Sequence, residues 1–157
     1  MRRTGFEVSV VVPAEPDTVR DFLADLRESP RIHPLIVRVD PLAERMPGIA
    51  RYRIRDRMRM GPMTIAFSYL VETTRTPEGD IVSDAYQFPR IHLHNVTSFT
   101  PVDDGTLVHE QVTITAPRLL VATVRREGAR AHRTMMDNLA AELANAACGP
   151  EFEDRPR

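Results

Sequence analysis

The feature that most limits what this chain can become is its last long element. An amphipathic stretch from about Arg118 to Ala147 follows a run of alternating strand patterns that contains no comparable helix. Leu120, Val124, Ala131, Met135, Leu139 and Leu143 recur there at helical spacing, and Gly128 falls on the same side. At 1.5 Å per residue, about 30 residues reach roughly 45 Å, enough to cross a whole sheet. Gly128 costs about 1 kcal/mol relative to alanine, so it marks either a kink or space beneath the helix. A sheet made from the preceding strands has one apolar face and only this helix long enough to cover it. One helix does not fill the concave side of a large curved sheet, so a cavity between the two is the expectation.

The rest of the chain supplies such a sheet. Phe6, Val8, Val10 and Val12 alternate with other residues up to Pro13. Asp17 is a candidate cap for a helix carrying Val19, Phe22, Leu23 and Leu26. Ser29-Pro30 suggests the start of a second short helix, closed by Pro34. Leu35 to Val39 reads as a strand, with Pro41 to Gly48 as a loop. From Ile49 the period is two, interrupted by turns at Gly61-Pro62, Pro77-Glu78-Gly79, Pro89-Arg90 and Asp103-Asp104-Gly105.

Hairpin register is testable, because a slip of one residue flips every side chain. Pairing Met58 with Ile65 puts Asp56 opposite Phe67 and Tyr52 opposite Val71. Pairing Phe88 with Ile91 puts Tyr86 opposite Leu93 and Asp84 opposite Asn95. Pairing Phe99 with Val108 puts Thr97 opposite Glu110 and Asn95 opposite Val112. An up-and-down meander of about seven antiparallel strands is the result. Residues 5–148 form one expected domain, and Gly149 to Arg157 a disordered polar tail.

Composition narrows the function. With 42% hydrophobic and 27% charged residues, the 157-residue chain has the make-up of a globular domain. Its net charge of −1 gives no global field toward nucleic acid, and no stretch approaches the length of a membrane span. Cys148 is the single cysteine, so no disulfide framework exists, and the run after Arg2 and Arg3 is too short for a signal sequence. A cytoplasmic, reduced protein is expected. All 21 basic residues are arginine, and Arg51, Arg53, Arg55, Arg57 and Arg59 share one strand face.

The order strand, two short helices, meander, long closing helix is that of the helix-grip fold, an α+β architecture. Val10-Val11-Val12-Pro13-Ala14-Glu15-Pro16 leads from the first strand into the first helix. Ile32-His33-Pro34-Leu35-Ile36 precedes the second strand, Asp103-Asp104-Gly105-Thr106 opens the last, and Leu139 to Leu143 lies in the terminal helix. On these segments the chain resembles the START-like (SRPBCC) superfamily, which includes the birch-pollen allergen, lipid-transfer domains and the polyketide cyclase/dehydrase family. The resemblance runs over roughly Gly5 to Ala147, with His33 where the family often has tryptophan. It implies a cavity for a lipid, polyketide, sterol or other hydrophobic molecule. The family has no universal catalytic motif, so the resemblance assigns no catalytic residue.

In the registers above, Asp84, Asn95, Thr97 and Glu110 are neighbours on the inward face. A carboxyl on an apolar wall has a raised pKa, and binds a ligand hydroxyl or carbonyl or moves a proton. Glu110 and Asp84 are therefore the catalytic candidates, with ligand orientation or mutual satisfaction favoured over catalysis. Tyr52, Asp56, Tyr69 and Tyr86 are further polar points, equally readable as tyrosine hydroxyls reaching solvent at sheet edges with Asp56 bonded to a neighbouring strand or loop. Phe67 shares their inward phase. Val124, Gly128, His132 and Met135 approach from the helix; His132 reads either as a titrating cavity group or as a packed side chain. His92 and His94 share a strand face, but the nearest third ligand, His109, lies about 13 Å along on strand geometry. No metal and no cofactor are expected.

The favoured reading is a non-enzymatic carrier or sensor of a hydrophobic small molecule. The alternatives are a polyketide aromatase/cyclase-like enzyme using the cavity carboxyls, and a protein-interaction module working through the arginine row. Oligomeric state is not encoded in these patterns.

Overall fold

The structure is a computed structural model that describes residues 1–60 and 62–148, without the Met60 side chain. The expected tail from Gly149 to Arg157, and Gly61 of the first hairpin turn, lie outside the described residues. Seven antiparallel strands alternate as the period-two pattern requires: β1 (Arg2–Val12), β2 (Ile36–Leu42), β3 (Ala50–Met60), β4 (Met63–Arg75), β5 (Ile81–Gln87), β6 (Ile91–Val102) and β7 (Gly105–Ala116). Between β1 and β2 lie helix α1 (Pro16–Ala24) and a 3-10 turn (Leu26–Arg31); helix α2 (Val121–Ala147) closes the chain. The sheet order is β1-β7-β6-β5-β4-β3-β2, so the first strand pairs with the last and every other neighbour is a hairpin partner. This is the α+β helix-grip arrangement.

Local details differ from the sequence expectation where several capping residues compete. The cap of α1 is Glu15, with Pro16 at the first position, and Asp17 instead lies in the first turn bonded to Arg20. The second short helix is a 3-10 turn capped by the Asp25 side chain, which accepts from the Arg27 amide at 3.1 Å; Pro30 lies inside it. β2 runs on through Pro41, which an edge strand tolerates because one side of its backbone needs no partner. α2 starts at Val121, after Pro117 accepts from the Leu120 and Val121 amides.

Two hairpin registers stand as expected. Met58 faces Ile65 and Asp56 faces Phe67; Phe99 faces Val108 and Thr97 faces Glu110. The β5–β6 register is a correction. Gln87, not Phe88, pairs with Ile91, which puts Ser83 opposite Asn95 and Asp84 opposite His94. The connection holds three residues, Phe88, Pro89 and Arg90, with Arg90 in the left-handed region at φ 58°. Three-residue hairpin loops use such a residue, usually glycine, and an arginine there hides the signal. One extra loop residue turns Asp84 and Tyr86 to the outer face.

The core is gathered at one side of the sheet. Val8, Val12, Val108, Met136, Leu139 and Leu143 pack together with Val19 and Ile32. A second cluster joins Leu93, Val112 and Ile114 to Phe6, Leu120 and Val124. α2 thus lies chiefly on β1, with a lighter contact on β7. Gly128 is part of this seat, because a Cβ there would stand 3.3 Å from the Phe6 ring edge. The inward faces of β3, β4 and β5 receive no comparable cover from the helix.

Gly105 fixes where β7 begins. Its φ is +133°, and a Cβ would lie 2.1 Å from the Val12 carbonyl oxygen. Gly105→Ala is expected to lower unfolding free energy by about 2 kcal/mol or more, read as a reduced urea midpoint with unchanged slope.

Candidate functional site

The uncovered half of the sheet encloses a cavity of about 830 Å³. Its walls follow from strand alternation. β3 contributes Ile54 and Asp56, β4 Phe67 and Tyr69, β5 Ser83 and Ala85, β6 Asn95 and Thr97, and β7 Glu110. Val124, Gly128, His132 and Met135 reach it from α2, and Ile32 and His33 close it from the end of the 3-10 turn.

Two polar groups of residues interrupt the apolar lining. In the first, His132 Nδ1 lies 2.7 Å from Glu110 Oε2, and Asn95 Nδ2 donates to Glu110 Oε1 at 3.2 Å. The side chains of His132 and Glu110 are only 12% and 5% exposed. Burial works to lower the His132 pKa, but the Glu110 carboxylate beside it wins and the net shift is upward. The two side chains form a buried, directly bonded pair inside an apolar wall. The His132 ring also meets the edges of Phe6 and His33, at centroid distances of 5.4 and 5.7 Å. Burial, with the charge of His132 adding to it, pushes His33 down to about 3, so His33 is neutral. Its Nδ1 accepts from the Leu35 amide at 3.3 Å.

In the second group the Tyr69 hydroxyl donates to Asp56 Oδ1 at 3.2 Å. Burial raises Asp56 to about 6, against the opposing pull of the Tyr69 hydroxyl and the His132 charge. Burial also lifts the Tyr69 phenol well above its ordinary value, so it stays a donor. Asn95 Oδ1 is a buried oxygen without a hydrogen-bond partner among the described residues. The cavity thus offers a carboxyl with a raised pKa, a phenolic donor and an imidazole around an apolar chamber. Such groups suit a ligand that is mostly hydrocarbon but carries carbonyl or hydroxyl oxygens.

Of the residues singled out in the sequence, Asp56, Phe67, Tyr69, Asn95, Thr97 and Glu110 line the cavity from the sheet. Val124, Gly128, His132 and Met135 line it from the helix. Three do not. Tyr52 shares the inward phase but sits beside the Asp25–Arg27 corner, off the wall. Asp84 lies on the outer face, 2.7 Å from His92 Nε2 and 2.9 Å from His94 Nδ1. Partial burial pushes its carboxyl up, but hydrogen bonds from His94 and His92 outweigh that and hold it low. Tyr86 stacks on His92 at 4.9 Å on that same outer face. Asp84 is therefore removed from the catalytic candidates, since the chamber is on the other side of the sheet.

His33 and Ser83 are cavity residues that sequence reasoning missed. A loop count of three would have revealed Ser83; His33 has no local signal, because its partner His132 is remote in sequence. Among the described residues no group of three or more His, Cys, Asp and Glu is arranged to hold a metal ion. No described helix is long and apolar enough to cross a membrane.

The family described as polyketide cyclase/dehydrase and lipid transport has a sequence model that matches residues 3–144. No curated protein matches in sequence. Solved structures establish the fold. The di-domain ARO/CYC StfQ of the steffimycin biosynthetic pathway superposes with a TM-score of 0.75 at 18% identity, over 93% of this chain and 52% of that one. The chain spans about half the length of that protein. The ZhuI aromatase/cyclase of Streptomyces sp. R1128 gives 0.70 at 17% identity, over 96% of this chain and 100% of that one. A START superfamily protein from Mycobacterium smegmatis gives 0.70 at 15%, over 90% and 98%.

Two outcomes follow from the electrostatics. His132→Ala leaves the buried Glu110 with Asn95 as its remaining side-chain partner among the described residues, and is expected to cost about 3 kcal/mol near neutral pH by urea unfolding. Replacing both His132 and Glu110 by leucine should recover most of that loss. Asp56 has a folded pKa above its unfolded one, so its protonated form favours folding. That contribution is complete below the unfolded value of 3.8 and is lost as pH rises through about 6. Asp56→Asn should therefore gain on the order of 2 kcal/mol relative to the parent at about pH 8 and nothing at about pH 4. Unfolding midpoints at the two pH values measure it.

Proposed function

We propose that this chain, which belongs to the polyketide cyclase/dehydrase and lipid transport family, binds one hydrophobic small molecule in its inner chamber. The observation that carries the reading is the chamber itself: about 830 Å³, walled mainly by apolar side chains, with polar groups on facing walls. Loss of apolar surface from water drives entry, at about 25 cal/mol per Å² of buried area before ordering costs. Asp56, Tyr69 and the Asn95–Glu110–His132 group set orientation by hydrogen bonds to ligand oxygens. Lipid, polyketide and sterol-like molecules share this chemistry of a long or fused apolar body with few oxygens.

A second reading is an aromatase/cyclase-like enzyme acting on a ketone. It is favoured by one feature, a carboxyl with a pKa of about 6 bonded to a phenol and felt by an imidazolium. In that reading the Asp56 carboxylate takes a proton from carbon next to a ketone, and the C–H electron pair becomes an enolate. Tyr69 or His132 donates to the enolate oxygen, and the enolate carbon attacks a second carbonyl of the same chain. Proton return from Asp56 and loss of water would complete ring formation.

Native mass spectrometry of the purified protein should reveal one apolar molecule per chain, released on denaturation. Ala85→Phe, which fills space at the wall, should weaken binding of a polarity-sensitive fluorophore by roughly tenfold with folding intact. Asp56→Asn separates the two readings. A carrier changes mainly in affinity, by about tenfold or less, whereas an enzyme keeps binding and loses turnover by about a hundredfold or more. A chamber that takes up no apolar molecule would overturn both.

A further inference from the structure

The exposed part of the cavity lining lies at one end of the sheet, and that end has an unusual surface. The strand registers bring the start of β1, the β3–β4 hairpin, the β5–β6 turn and the end of β7 together there, with the start of α2 beside them. The exposed residues Arg59, Met63, Phe88 and Arg126 belong both to the cavity wall and to this rim. Three large apolar side chains stand nearly free on separate tips: Leu119 is 95% exposed, Phe88 93% and Met63 63%.

Charge is sorted along the same axis. Segments 57–71, 85–102 and 111–126, which build the rim and the strands behind it, contain no aspartate or glutamate. They carry Arg57, Arg59, Arg90, Arg118, Arg125 and Arg126. Glu127 is the nearby exception in sequence, and it is bonded to Arg126. The opposite end holds the Asp103-Asp104 and Glu78-Gly79-Asp80 turns and the Glu15-Pro16-Asp17 corner. A net charge of −1 therefore conceals a molecule that is basic at its mouth and acidic at its far end.

We propose that the mouth docks reversibly on an anionic phospholipid surface, with Phe88, Leu119 and Met63 entering the headgroup layer and the rim arginines holding phosphates. Guanidinium groups bind phosphate oxygens through paired hydrogen bonds, and arginines near such a surface are drawn to its negative potential. The separated, projecting tips suit shallow insertion in a fluid layer better than packing on a rigid acidic protein, which needs a continuous complementary patch. The charge separation turns the mouth toward the surface and the acidic end away. Its use rests on the ligand binding proposed above: an apolar molecule would pass between bilayer and chamber without crossing water.

The test is flotation of the purified protein with vesicles of phosphatidylcholine alone or with about 30% phosphatidylserine. Partition is expected to be at least about tenfold higher on the anionic vesicles at low salt and to fall as salt rises. Arg90→Glu with Arg118→Glu, neither of which lines the cavity, should lower it about tenfold or more. Leu119→Ser should lower it severalfold, and Arg45→Glu, in the β2–β3 connection, should leave it unchanged. Equal or absent binding on the two vesicle types, or binding that survives the Arg90 and Arg118 reversal, overturns the proposal. Absence of binding would point to an acidic protein as the partner instead. Uptake of a fluorescent apolar probe is measured in parallel. Probe uptake without vesicle binding sinks docking alone, and docking without uptake sinks the ligand reading alone.

Discussion

Everything distinctive about this protein follows from an imbalance of coverage. Seven strands present one continuous inward face, and a single helix seats on only one side of it, over β1 and β7. The seat is tight because Val8, Val12 and Val108 meet Met136, Leu139 and Leu143, and because Gly128 lets Phe6 come close. Each fully buried aliphatic side chain there contributes about 1.5–3 kcal/mol relative to exposure. With the helix anchored on that side, the inward face of β3, β4 and β5 cannot also be covered by it. The chamber is the space left over.

Placing charge in such a wall is expensive, and the arrangement shows how the expense is contained. Glu110 and His132 neutralise each other and Asn95 satisfies a carboxylate oxygen. Asp56 has no ion-pair partner among the described residues, so burial raises its pKa to about 6 and leaves Tyr69 as its donor. His33, against the His132 ring, stays neutral. Glu110 thus has a buried imidazole partner, whereas Asp56 is a carboxyl with a pKa of about 6. That difference between two carboxylates comes from their neighbours alone, since both lie on strands of the same sheet.

The candidate site was legible in the sequence wherever side chains obey period two and the loop count is right. Asp56, Phe67, Tyr69, Asn95, Thr97 and Glu110 fell on the inward phase in the sequence and lie on the cavity wall in the structure. Asp84 and Tyr86 failed together, because Arg90 takes a left-handed conformation usually signalled by glycine and adds one residue to the turn. Tyr52 failed differently. Its phase is right, but phase does not say how far along a strand the hollow extends. That His92 and His94 share a strand face followed from alternation, and only the structure paired them with Asp84, and His109 with Glu7.

Local chemistry along the chain determined the elements themselves: alternating strands, turn residues between them, and a helix whose stripe demands a sheet to lie on. Such features depend on neighbours a few residues apart, which a sequence displays directly. Only the folded chain decided which side of the sheet the helix takes, that His33 meets His132, that Tyr69 meets Asp56, and that arginines and apolar tips gather at one end. These are contacts and fields between remote segments. Their strength depends on distances and burial, which no local pattern contains.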